Sequence, residues 1–355
     1  MKKRFPALST LTKVALALAL ALASGLGHVA LAQQQPQLSQ YTANMLLFNP
    51  AVAGMEDFIA ARAGYRQQFV GVPDGPQTVY VNVHGALNQR DLNKEDLGAL
   101  PMRGASTIRF KTETIRKIRH GVGGTFVSDR AGQFTRNSAS GGYAIHLPFA
   151  RSWYFSGGAQ LGVSFLQLGT NWNREGFITN PNADPALAGR TLGLPEASVG
   201  GMVYNDKLYV GLSANQLLQN RLRFGETNIS IDQRKLNVHY YLTAGYRLPL
   251  TDELDFAPTT LVKFSRYTYA ADLQARVRFR QAFYAGIGYR LANTTTEVTG
   301  DGVTGLVGLS FNKLVDVAYS FDFTTSGLNV GSNGSHEIVV GVRLYNAKKA
   351  NPRIW

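Results

Sequence analysis

Residues Asn205–Leu218 read NDKLYVGLSANQLL, and residues Arg280–Asn293 read RQAFYAGIGYRLAN. In each, a tight polar turn opens onto a short run in which Tyr, Phe, Val and Gly interleave with polar residues. Runs of this kind recur at near-regular spacing through the C-terminal half, and the chain beyond its first residues holds no long apolar helix. Inside hydrocarbon every backbone N–H and C=O must be satisfied by the protein itself, so only helices and closed barrels cross a membrane. Alternating strands behind an export signal therefore predict an all-β fold, an antiparallel transmembrane β-barrel of the outer membrane.

The export signal is Met1–Ala32: basic Lys2, Lys3 and Arg4, an Ala/Leu core over Leu11–Leu26 interrupted by Lys13, and small residues at Ala30-Leu31-Ala32. Its longest uninterrupted apolar run, Val14–Ala23, is too short for a spanning helix, so cleavage before Gln33 is expected. The formal charge of +13 falls to +9 once the four cations of the signal are removed. In an exported chain that balance points to anionic outer-membrane lipid or acidic protein partners and away from nucleic acid. The chain has no cysteine, which excludes disulfides, thiolate nucleophiles and thiolate metal sites.

After the signal, residues 33–57 hold a polar linker and then YTANMLLFNPAVAG (Tyr41–Gly54), broken by Asn-Pro and Gly and without strand alternation. This stretch is expected to pack at the barrel rim or in the lumen. Residues 58–345 divide into about 14 strand candidates, with 12 to 16 as the bounds. They run from Phe58–Phe69 and Gln77–Leu87 to Leu314–Phe323 and Ser335–Tyr345, lengths suited to tilted membrane strands. An even count puts both termini in the periplasm. On that parity the tight connections Ala150-Arg151, Asn205-Asp206, Arg280-Gln281 and Asn312-Lys313 are periplasmic. Gly169–Leu194, Gln219–Arg234, Ala292–Asp301 and Thr324–Gly334 become outer loops, and Asp129–Arg136 a further loop on that side. Trp153, Tyr204, Tyr209, Tyr246, Tyr289 and Tyr319 lie near strand ends, where aromatic girdles form.

Two segments break the pattern. Residues 88–118 make a long periplasmic connection, and 346–355 a C-terminal periplasmic tail. Arg116, Lys117, Arg119, Lys348 and Lys349 make these segments candidate docking surfaces for a partner, although a solvated basic face has the same composition.

Catalytic patterns are missing. No Gly-x-Ser-x-Gly elbow or paired-histidine metal motif occurs, so no enzyme, metal or cofactor is expected. Ser335 and His336 are adjacent in a strand and must point to opposite faces, which rules out a local triad with Glu337. Arg276 and Arg278 share a face by period-two spacing, and because charge on the lipid face is costly they are candidate lumen charges.

Several blocks resemble the PorP/SprF family of outer-membrane proteins of type IX secretion and gliding in Bacteroidota. Leu38-Ser39-Gln40-Tyr41 with Phe48-Asn49-Pro50-Ala51-Val52-Ala53-Gly54 is similar to the family's opening signature. Tyr65-Arg66-Gln67-Gln68-Phe69-Val70-Gly71 resembles its next element, with Phe69 where the family usually has Trp. Ser128–Gly132, Pro258–Lys263, Tyr319–Ser326 and Gly334–Ile338 resemble later blocks. The resemblance implies a non-enzymatic barrel that works with the type IX translocon, with periplasmic ring and motor components, and with a secreted adhesin or its C-terminal domain. It also recasts Asp322, His336 and Glu337 as a polar group at the outer rim, bracing the loop between them. A channel for small solutes or hydrophobic substrates stays open as the alternative function.

Overall fold

The computed structural model describes residues 36–56, 58–87, 118–132, 134–150, 153–168, 191–219, 236–265, 269–280, 282–294, 297–311, 314–325 and 332–344. The export signal, most of the long connection and the C-terminal tail lie outside the described residues.

The extended stretches are β1 (Ile59–Gln67), β2 (Gln77–Ala86), β3 (Arg119–Ala131), β4 (Phe134–Ala150), β5 (Trp153–Leu168), β6 (Thr191–Tyr204), β7 (Leu208–Asn215) and β8 (His239–Tyr246). They continue as β9 (Leu248–Pro249), β10 (Leu254–Phe264), β11 (Tyr269–Phe279), β12 (Phe283–Thr294), β13 (Glu297–Phe311), β14 (Val315–Thr324) and β15 (Ser335–Leu344). β8 and β9 form one stave, because both pair with β10. They part at Arg247, whose amide donates instead to the Lys207 carbonyl. That leaves fourteen staves in one antiparallel sheet. β1 pairs with β15 from Ile59↔Leu344 to Gln67↔His336, so the sheet closes on itself. Closure removes the free edges that a flat sheet would expose to other chains.

Side chains are sorted the opposite way from a soluble protein. Along β2, Thr78, Tyr80, Asn82 and His84 are buried, while Val79, Val81 and Val83 are exposed. Along β15, Glu337 is buried between exposed-face Ile338 and half-buried His336. Strand alternation thus turns a polar set inward and an apolar set outward, as a lipid-facing barrel requires. Tyr246, Tyr289 and Tyr319 face out as girdle residues do, whereas Tyr204 is buried in the lumen.

Every stave falls on a stretch read from the sequence as a strand. The differences are at one mouth of the barrel. The β3–β4 ladder runs through Ala131↔Phe134, so Asp129–Arg136 is mostly strand. β12 extends to Thr294 and β13 starts at Glu297, so Ala292–Asp301 is mostly ladder as well. Both stretches keep their backbone groups paired, and Thr294 and Thr299 favour extension. The other mouth carries the tight links between β4 and β5, β6 and β7, β11 and β12, and β13 and β14. We refer to these as the loop mouth and the short-turn mouth.

Leu161, at mid-length in β5, is 71% exposed on the outer face. Leu161→Arg is expected to destabilise the folded barrel by about 2–4 kcal/mol, read from reversible guanidinium unfolding in lipid vesicles. An unchanged midpoint would place this face outside hydrocarbon.

Candidate functional site: a lumen filled by the N-terminal segment

The segment before β1 is built from two single turns of 3-10 helix, Met45–Leu47 and Pro50–Val52. Pro50 sits where a helix lacks a use for an amide hydrogen, and the Asn49 side chain caps the second turn by accepting from the Ala51 amide at 2.9 Å. Turns this short leave carbonyls unpaired, and the barrel wall supplies the donors. Ser213 donates to the Phe48 carbonyl at 2.7 Å, Ser156 to Ala51 at 2.6 Å, and His146 Nε2 bonds the Ala53 carbonyl at 2.8 Å. A carbonyl only accepts, so the proton of His146 is on Nε2 and its Nδ1 is left to accept from the Tyr204 hydroxyl, 2.7 Å away. Asn49 Nδ2 donates in turn to the Gly201 carbonyl at 3.2 Å.

Backbone approaches backbone on one side of this segment. Gly54 has φ +74°, and a Cβ at Gly121 would stand 1.9 Å from the Ala53 carbonyl oxygen. Cβ atoms at Gly158 and Gly200 would strike Pro50 and the Asn49 side chain. These strand glycines are the seat into which Asn49–Gly54 fits.

Nearer the loop mouth the segment is held by charge. Arg66 on β1 is 1% exposed. It pairs with Asp322 on β14 at 2.5 Å and with Glu337 on β15 at 3.2 Å. Ser39 completes the node: its hydroxyl donates to Asp322 at 2.6 Å and its amide to Glu337 at 2.6 Å, and it accepts from Arg66 at 2.9 Å. Tyr80 donates to Glu337 at 2.7 Å, and Gln274 donates to the Ser39 carbonyl at 2.7 Å. Beside them Asp272 is bound by Lys263 at 2.9 Å and by Arg290. Three cations, Arg66, Lys263 and Arg290, thus face three carboxylates, Asp272, Asp322 and Glu337, and the node is neutral.

The path of the segment is directional. Pro36 lines a polar cavity with Asp129, Arg136 and Glu196 in the loop half of the lumen. Glu56, at the other end, pairs with Arg62 at 3.0 Å and accepts from Arg119 through its carbonyl, both on the short-turn side. β15 ends at Leu344, also on the short-turn side. The first and last described residues, Pro36 and Leu344, therefore lie toward opposite mouths. The even strand count fixes only the ends of β1 and β15, and the segment before β1 runs back up through the barrel.

Other residues singled out in the sequence fall as follows. Arg276 and Arg278 are buried on the lumen face, on either side of exposed Val277. Asp322 and Glu337 converge on Arg66 and Ser39. His336 does not join them, because alternation turns it to the outer face, where it bonds the Tyr319 hydroxyl at 2.7 Å. Arg119 is committed to the Glu56 carbonyl, while Arg116, Lys117, Lys348 and Lys349 lie outside the described residues. Arg66, Ser39, Tyr80 and Gln274 carry the node and were not singled out. Barrel closure was the available signal, since it makes the first strand a neighbour of the last.

The sequence matches the family described as "Type IX secretion system membrane protein PorP/SprF" over residues 30–342, and the chain belongs to that family. Among curated proteins none matches. Solved structures with a similar course include the outer membrane protein Omp33 of Acinetobacter baumannii, at 9% identity and TM-score 0.43, covering 81% of this chain and 97% of that one. A deletion mutant of the TodX monoaromatic hydrocarbon channel has 11% identity and TM-score 0.42, covering 84% and 93%. The KdgM porin has 10% identity and TM-score 0.31, covering 80% and 98%.

Arg66→Met leaves Asp322 and Glu337 facing each other without their shared cation. The expected cost is about 3–5 kcal/mol, with Leu38–Met55 becoming open to protease in the folded barrel. Gly121→Val is expected to unseat the same segment through the Ala53 clash while sparing the node. Limited proteolysis followed by mass mapping reads both outcomes; full protection in both variants would show that the segment is held by other contacts.

Proposed function

We propose that this protein is a non-enzymatic outer-membrane component of type IX secretion and gliding machinery, acting through its two mouths and not by conducting solutes. The loop mouth faces the cell exterior and the short-turn mouth the periplasm. There the barrel meets the translocon and the periplasmic ring or motor, and it supports secretion or surface attachment of cargo such as adhesins. One observation carries this reading: the lumen is occupied by Leu38–Met55, bonded to β1, β2, β4, β5, β6, β7, β11, β14 and β15. A filled lumen suits a docking partner. A channel for small solutes or hydrophobic substrates would need the segment to leave, and each of its hydrogen bonds opposes that by about 0.5–1.5 kcal/mol.

Two experiments test the proposal. In planar bilayers the wild-type barrel is expected to be almost silent, and Arg66→Met to conduct; steady wild-type conductance would favour the channel. Reversing charge at Arg116, Lys117, Lys348 and Lys349 is expected to reduce co-purified secretion components and type IX secretion at an unchanged level of folded barrel. Intact secretion with an unchanged set of partners would remove those residues from the docking surface.

A further inference from the structure

The node at Ser39 is electrically neutral; the short-turn half of the lumen is not. A cavity of about 60 Å³ lies there beneath Thr42 and Met45, beside Tyr209. Lys207, Arg247, Arg276 and Arg278 line it, with Asp206 as a lining carboxylate. Asp255 stands behind Arg247, paired with it at 3.2 Å. Four cations thus face two carboxylates among the described residues of this pocket and its rim. Arg276 is 6% exposed. Its Nη2 donates to Gln274 Oε1 at 2.7 Å, and its guanidinium lies 5.3 Å from the centre of the Tyr284 ring. Its Nε is buried without a hydrogen-bond partner. An unmet donor on a buried cation is costly, and an anion in the adjoining space relieves both the donor and the charge excess.

We propose that this cavity is a binding site for a single small oxyanion of the phosphate class, held by the guanidiniums of Arg276 and Arg278. The planar fork of arginine matches paired oxygens, and both guanidiniums line the cavity. The volume exceeds the 10–15 Å³ or so that one water needs, and leaves room for a compact anion. The barrel wall stands between the cavity and the bilayer, so the source is solution at the short-turn mouth and not a lipid headgroup. The site is also wired to the segment. Arg276 holds Gln274, and Gln274 holds the Ser39 carbonyl at 2.7 Å, so a bound anion would fix the arm that anchors the node.

The test uses the full-length folded barrel in detergent micelles, with inorganic phosphate as the probe and chloride at equal ionic strength as the reference. Phosphate should raise the thermal midpoint saturably, with a hundredfold gain in the folded-to-unfolded ratio at about one hundred times Kd. Equilibrium dialysis of labelled phosphate should give one site per barrel. Arg276→Gln should abolish both effects, and Arg276→Lys should keep weakened binding. Arg280→Gln, at an exposed turn cation paired with Glu253 at 3.0 Å, should leave both unchanged. The dialysis on wild-type protein decides the matter even if Arg276→Gln fails to fold. No bound phosphate, or equal binding by Arg276→Gln and wild type, would overturn the site; a phosphate effect matched by chloride would reduce it to ionic strength.

Discussion

A guanidinium buried in the lumen is best neutralised in place, and Arg66 sets the terms for this part of the barrel. Two buried charges gain little over two buried apolar groups, but one left alone is severely unfavourable. Arg66 is met by Asp322 and by Glu337, which come from β14 and β15. Their meeting depends on the β1–β15 seam being in register, with Arg66 opposite Glu337. A slip of one residue would turn Glu337 to the lipid and His336 into the lumen. The carboxylates still have oxygen lone pairs to fill, and the Ser39 hydroxyl and amide fill them. Seam, register and lumen occupant thus meet at one buried cation.

The motif blocks at the two ends of the sequence find their physical meaning here. Leu38–Tyr41 and Phe48–Gly54 are the inserted segment, Tyr65–Gly71 supplies Arg66, and Tyr319–Ser326 and Gly334–Ile338 supply the two carboxylates. They lie far apart in sequence because closure joins the chain's first strand to its last. The short-turn side of the segment is fastened differently, by wall hydroxyls and His146 on main-chain carbonyls and by strand glycines that admit its backbone.

The staves were legible because each carries its own period-two signal, with Val79, Val81 and Val83 outward and Thr78, Tyr80 and Asn82 inward. Hairpin length was less so. Asp129–Arg136 and the stretch beyond Asn293 read as loops because polar residues dominate them, yet a ladder above the bilayer needs no apolar face. The lumen position of Arg276 and Arg278 followed from the penalty for charge in lipid. The grouping of His336 with Glu337 contradicted the strand alternation that had already separated Ser335 from His336. The sequence led to a rim or lumen position for Tyr41–Gly54 but not to its route, since several of its bonds, at the Phe48, Ala51 and Ala53 carbonyls, meet backbone atoms, which carry no residue signature.

The course of that segment has a consequence for how the molecule is made. The final seam joins Ile59 to Leu344, residues synthesised at opposite ends of the chain, so closing it carries the largest loop entropy in the sheet. A finished cylinder admits nothing through its wall, and its N-terminal thread continues directly into β1. Endwise entry would drag a free terminus past a full set of inward side chains. A sheet that closes with its opening residues already inside meets no such obstacle, and Ser39, Phe48 and Ala51 present its staves with groups to bond against.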